Sequence, residues 1–216
     1  MAITRAQVTG LDNVAAWLTA NFVPSFFKSV TVSDDVLTAI DADNNPIFVV
    51  DNSQKKFLAY RGENNAIEMT NNGYAIIGSR VVDLIGCANG FILDHATQTG
   101  SKTFALLCAK TNNGKVAVIF NIANNGSSAY GSGVKHVALG DSESISTTTT
   151  FTSESGQQTS FATWCTNADA GVASYTPNAY FMPMGQVYSN GIGKFIIGTD
   201  TYITNGYWAI KDGGST

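Results

Sequence analysis

The sequence predicts a mainly β fold: an antiparallel β-sandwich or barrel-like domain with one short N-terminal α-helix. Three observations carry this. A helical period occurs in one place, near the N-terminus. From Val30 onward the text changes to short apolar or alternating runs, and Asn, Asp and Gly separate those runs at the intervals of all-β chains.

The helix is expected within residues 9–23, "TGLDNVAAWLTANFV". Leu11, Val14, Leu18 and Phe22 fall on one stripe with Trp17 beside it, and Thr9 or Asp12 is available near the N-terminal end. Pro24 ends or bends it. The adjoining "FVPSFFKSV" is aromatic enough to anchor the helix against a sheet or a partner. Hairpins follow. "VLTAI" and "PIFVVD" flank "DADNN", "KKFLAY" and "AIEMT" flank "RGENN", and "KTFALLCAK" and "KVAVIFNIA" flank "TNNG". In each, Asn, Asp or Gly supplies the positive φ of a tight turn, and β-branched or aromatic residues supply the strand surface.

The stretch "GYAIIGSRVVDLIGCANGFILDH" is apolar on both faces of any strand, as at the centre of a sandwich or barrel, and its glycines point to bulges or close backbone approach. Residues 124–160 are polar, with a Ser/Thr run that reads as a long surface loop or an extended polar strand ordered on a partner. Strand-like text then returns, and "ITNGYW" offers an Asn-Gly turn. At 216 residues the expectation is a helical segment at 1–29 followed by a single β-rich domain at 30–216, with the polar excursion at 124–160.

Charged residues make up 13% of the chain, about half the ~25% of an ordinary domain. Asn, Thr, Ser and Gly stand in their place. A neutral polar coat suits a protein packed against neighbours, since interface cores are depleted in charge; a secreted β protein with a Thr/Asn coat is the alternative. With a net charge of −4 and scattered Lys and Arg, nucleic-acid binding by phosphate neutralisation is not expected. No apolar run is long enough for a membrane-spanning helix, and "MAITRAQVTG" lacks the apolar core of a signal peptide.

No motif predicts a catalytic, cofactor or metal site. His95 and His136 are the two histidines, and Asp94-His95 would point to opposite faces of a strand. Asp41, Asp43 and Asn45 begin like a calcium loop, but Pro46 stands where Gly is needed and Asn52 where a bidentate Glu would close the site, leaving a hairpin turn. Glu63, Glu68, Asp83, Asp94, Glu143 and Glu154 could in principle supply a glycosidase pair, which linear spacing does not select. Cys87, Cys108 and Cys165 have no paired spacing, and the first two sit in apolar runs as buried thiols would; a disulfide with one thiol left over is the alternative. Aromatic residues crowd the C-terminal fifth. Trp17, Phe22, Phe26, Tyr202, Tyr207 and Trp208 are the candidate interface or glycan-contacting residues.

Low charge, neutral Asn/Gly/Thr-rich hairpins, a short N-terminal helix and a closing passage such as "SNGIGKFIIGTDTYITNGYWAIKDGG" resemble structural proteins of tailed bacteriophages and prophages. That resemblance implies a non-enzymatic, self-assembling virion component, capsid-associated as a decoration or minor head protein. A tail, baseplate or receptor-binding protein with glycan-binding activity is the alternative, and a β-sandwich hydrolase a third. The implied partners are further copies of the chain and other virion proteins, with a host-surface glycan as a possible ligand and neither nucleic acid nor membrane. The implied location is the virion, after synthesis in the host cytoplasm without a signal peptide.

Overall fold

The computed structural model describes residues 1–60, 66–70, 76–79, 81–96, 102–110, 116–123, 134–139, 148–153, 158–162, 179–181, 193–197, 199–204 and 208–213. Side chains are described within 1–60, 76–79, 81–94, 106–109, 199–203 and 210–213, and at Val118. The fold is mainly β, with every described strand pairing antiparallel and one helix, α1 (Leu11–Phe22).

A strand, β1 (Thr4–Thr9), precedes the helix and pairs with β7 (Val81–Cys87), so the N-terminal segment is more than a helix. Its weak alternation of Thr4, Ala6 and Val8 gives little local signal, and its partner is distant in sequence. Because β1 holds Thr9 in a ladder opposite Val81, Thr9 cannot cap the helix. Gly10 turns the chain with φ 85, no side chain caps the N-terminus, and Asn13 Nδ2 donates to the Thr9 carbonyl at 2.7 Å. The stripe of Leu11, Val14, Leu18 and Phe22 is buried as expected, and α1 stops two residues before Pro24, which follows a cis peptide bond.

The chain then builds one sheet by successive hairpins: β2 (Ser29–Ser33), β3 (Val36–Ile40), β4 (Pro46–Asp51), β5 (Lys56–Tyr60) and β6 (Ala66–Thr70). A second sheet has the order β1-β7-β8-β9-β10-β11, with β8 (Gly90–Ala96), β9 (Lys102–Lys110), β10 (Val116–Ala123) and β11 (Val134–Leu139). The third has the order β13-β12-β15-β16-β17-β14, from β12 (Thr148–Ser153), β13 (Gln158–Ala162), β14 (Ala179–Phe181), β15 (Gly193–Ile197), β16 (Asp200–Thr204) and β17 (Trp208–Lys211). The polar region at 124–160 thus contains β11, β12 and the start of β13; its remaining residues lie outside those described, as do residues 61–65, 111–115 and 205–207, where turns are expected.

The second sheet is the middle layer. From one face Phe91 projects into an aromatic cluster with Trp17, Phe22, Phe27 and Phe48, joining α1 and the β2–β6 sheet. On the other face the Cys87 thiol donates to the Lys211 carbonyl at 3.6 Å, and Ile203 and Ile210 of the third sheet join the same core. This two-sided burial is why the text around 81–95 is apolar at successive positions.

Both central glycines are required by close approach. A Cβ on Gly86 would stand 2.7 Å from Phe22 Cζ and 3.0 Å from Trp17 Cη2. On Gly90 it would stand 2.0 Å from the Cys108 carbonyl oxygen. The expected close backbone approach is therefore found at both positions.

Candidate functional site

The structure separates the six aromatic candidates. Phe22 is 1% exposed and Phe26 7%, with ring centroids 5.3 Å apart in an edge-to-face pair, and Tyr202 is 4% exposed. These three lie inside the chain and offer no surface to a glycan or a partner, which corrects their assignment as contact residues. The cause is helical phase for Phe22, which shares the buried stripe, while Tyr202 lies within β16 opposite Phe195 and Lys211. Trp17 is half-buried, 5.5 Å from Phe22 and 6.3 Å from Phe91 between centroids, and acts as the rim of the same cluster. Trp208 lies in β17 opposite Phe181. Tyr207 lies outside the described residues.

The polar candidates also resolve. In the Asp41–Asn45 loop the Asp41 carboxylate oxygen Oδ1 accepts from the N–H groups of Asp43 at 2.9 Å and Asn45 at 2.8 Å, while Asn44 takes φ 68. The calcium-like spacing is a side chain closing its own hairpin. Asp83 and Asp94 are direct cross-strand partners, and Asp83 accepts from Gln7 Nε2 at 2.5 Å. Asp94, however, is 1% exposed, so the pair has no cleft through which a sugar could reach both carboxylates. His95 pairs with Val82, the register position next to Asp94, and its side chain lies outside those described. Among the described residues no three His, Cys, Asp or Glu side chains stand together as a metal-binding group.

Burial pushes the Cys87 thiol up to about 12 and raises Cys108 further, which leaves both as protonated core residues rather than nucleophiles. Cys165 lies outside the described residues.

A buried polar junction holds the β2–β6 sheet to the middle layer. Asn52, just after β4, donates its backbone N–H to the Asp35 carbonyl at 3.1 Å and its Nδ2 to Asp35 Oδ1 at 3.3 Å. Nδ2 also donates to the Ile77 carbonyl, and Asn52 Oδ1 accepts from the Ile77 N–H at 2.9 Å. One side-chain amide thus satisfies both backbone groups of Ile77. Beside it, Asp51 Oδ1 accepts from the Ser53 hydroxyl at 2.6 Å and the Gln54 N–H at 2.8 Å. Burial alone would raise the Asp51 carboxyl, but the hydrogen bonds from Ser53 and Gln54 with nearby Lys56 outweigh it and hold the group below its ordinary value.

The accessible feature the sequence reading passed over is the edge of the β2–β6 sheet. Strand β2 reads SVTVS, ends its sheet beside β3, and has no charged residue or proline. Thr31 and Ser33 are exposed, as are the flanking Lys28 and Asp34. The available signal was a β-branched alternation running into Asp34-Asp35, both of which adopt positive φ (52 and 63) in the two-residue turn to β3. Comparison of the chain with protein-family models, curated proteins and solved structures finds no match.

Proposed function

We propose that the chain is a non-enzymatic, self-assembling structural subunit of a virion, a decorating or minor head component of the kind its sequence resembles. The observation that supports this reading is the chemistry of its sheet edges. Among the described strands that end sheets, β2 (SVTVS) contains no charge and no proline; β13 (QTSFA) and β14 (AYF) are also uncharged but lie beside each other. Strands β1, β6 and β11 carry Arg5, Glu68 and Lys135. Monomeric β proteins blunt open edges with charge, proline or bulges, because unpaired backbone groups otherwise recruit further strands. A neutral edge on a chain of low overall charge fits a protein whose edge is completed by a neighbour.

A tail or baseplate position fits the same chemistry and ranks second. The glycan-binding reading loses Phe22, Phe26 and Tyr202 to the core.

The test is sedimentation velocity of the full chain over a wide dilution series, followed by binding to particles of a tailed phage that carries the corresponding gene. A discrete oligomer that binds the particle is expected, and Thr31→Lys should weaken that oligomer while leaving the far-UV circular dichroism of the folded chain unchanged, as for a surface change. A chain that stays monomeric and binds no particle would overturn the reading.

A further inference from the structure

The strand β2 is palindromic, Ser29-Val30-Thr31-Val32-Ser33, and it ends its sheet. The two-residue turn Asp34–Asp35 makes Ser33 and Val36 the flanking pair. Such a flanking pair exchanges both backbone bonds, and the bonded direction alternates along the strand. Ser29, Thr31 and Ser33 therefore turn their N–H and C=O groups towards β3, and Val30 and Val32 turn theirs out of the sheet. Among the described residues no turn or loop backbone bonds to Val30 or Val32. The Val30 and Val32 side chains meanwhile pack inward against the core, Val32 only half-buried.

We infer that a second copy of this chain docks here, its β2 running antiparallel to the first about a two-fold axis through Thr31. This rests on the self-assembly reading above and names the surface that serves it. Three features agree with this axis. The palindrome places Ser29 opposite Ser33 of the partner subunit, Val30 opposite the partner's Val32, and the two Thr31 residues opposite each other, a favourable cross-strand pair. Hydrogen-bond direction agrees, since the outward groups of Val30 then face those of the partner's Val32, forming about four backbone bonds. A one-residue slip would set outward groups against inward ones and move the valines to the solvent face.

Charge agrees as well. Antiparallel pairing brings Lys28, which precedes β2 and donates its N–H to the Ile40 carbonyl at 2.9 Å, towards Asp34 of the partner subunit, which follows β2, at both ends. Within the single chain their contacts are with neutral groups: Lys28 Nζ donates to Asn44 Oδ1 at 2.7 Å, and Asp34 Oδ2 accepts from the Ser33 hydroxyl at 3.0 Å. A parallel pairing would instead bring lysine beside lysine. The product is one continuous sheet from two five-stranded halves, an isologous contact that closes on itself.

The experiment is disulfide trapping in the full chain carrying Cys165→Ser, where Cys87 and Cys108 are buried. Thr31→Cys places thiols on a non-hydrogen-bonded pair, with Cα atoms ~4.5 Å apart, within the reach of a disulfide. Ser25→Cys, exposed and off the strand, is the control. Under mild oxidation Thr31→Cys should shift to a band of twice the mass, about a hundredfold faster than the control, the gain from a docked pair. Sedimentation of the parent chain separates the outcomes. An oligomer whose Thr31→Cys variant cross-links no faster than the control overturns this interface and leaves self-assembly standing; a monomer without cross-linking overturns both.

Discussion

The middle sheet and the β2–β6 sheet use similar residues and differ in what covers them. In β7, Val82, Leu84, Ile85, Gly86 and Cys87 are buried on both faces, and Gly86 and Gly90 have no room for a methyl group. In the β2–β6 sheet, Phe48, Val50, Phe57 and Ala59 bury one face, while Thr38, Val49 and Leu58 on the other are half-exposed and the edge at β2 is uncharged. Strands enclosed on both faces have their interactions fixed within this chain. A strand covered on one face and open at its edge retains backbone groups for another molecule.

Breaking the enclosed region should cost most. Phe91→Ala removes the ring shared by Trp17, Phe22, Phe27 and Phe48, and should lose about 3–5 kcal/mol in urea denaturation, the range for a large aromatic truncated in a core. A loss near that of a surface change would mean the middle layer is not the principal core. Gly86→Ala adds a methyl against Phe22 and Trp17 and should cost about 1–3 kcal/mol, with part restored by a second change, Phe22→Leu. Failure of that second change to restore stability would place the strain elsewhere.

The smallest effect belongs to the outer sheet and depends on pH. The folded pKa of Asp51 lies below its unfolded value of ~3.9, so its stabilisation is complete above that value and is lost as pH falls through the folded pKa. Asp51→Asn should cost about 1 kcal/mol at neutral pH, and its urea midpoint should fall less steeply on acidification than the parent's. Parallel acid profiles for the two proteins would remove Asp51 from the pH response.

Much of this contrast was legible in the sequence. The α1 stripe, the hairpin strands β3 to β6, β9 and β10, and the two-sided burial around 81–95 all follow from local periodicity. Less legible was anything set by distant partners. Strand β1 pairs with β7 across most of the N-terminal third, and the rings of Phe22, Phe26 and Tyr202 look the same in a sequence whether they meet their own chain or another. The edge at β2 was written plainly as a palindrome, but a palindrome becomes informative only once its strand is known to end a sheet.

Asn52 has a consequence for how a load would travel through the molecule. The tip of the β2–β3 hairpin is tied through Asp35 to Asn52, and Asn52 grips the backbone at Ile77 just ahead of β7. Tension applied along the β2 edge therefore has a short path into the most deeply enclosed strand, through one amide side chain loaded in shear. Three of those bonds share the one side chain, so a change at Asn52 removes them together.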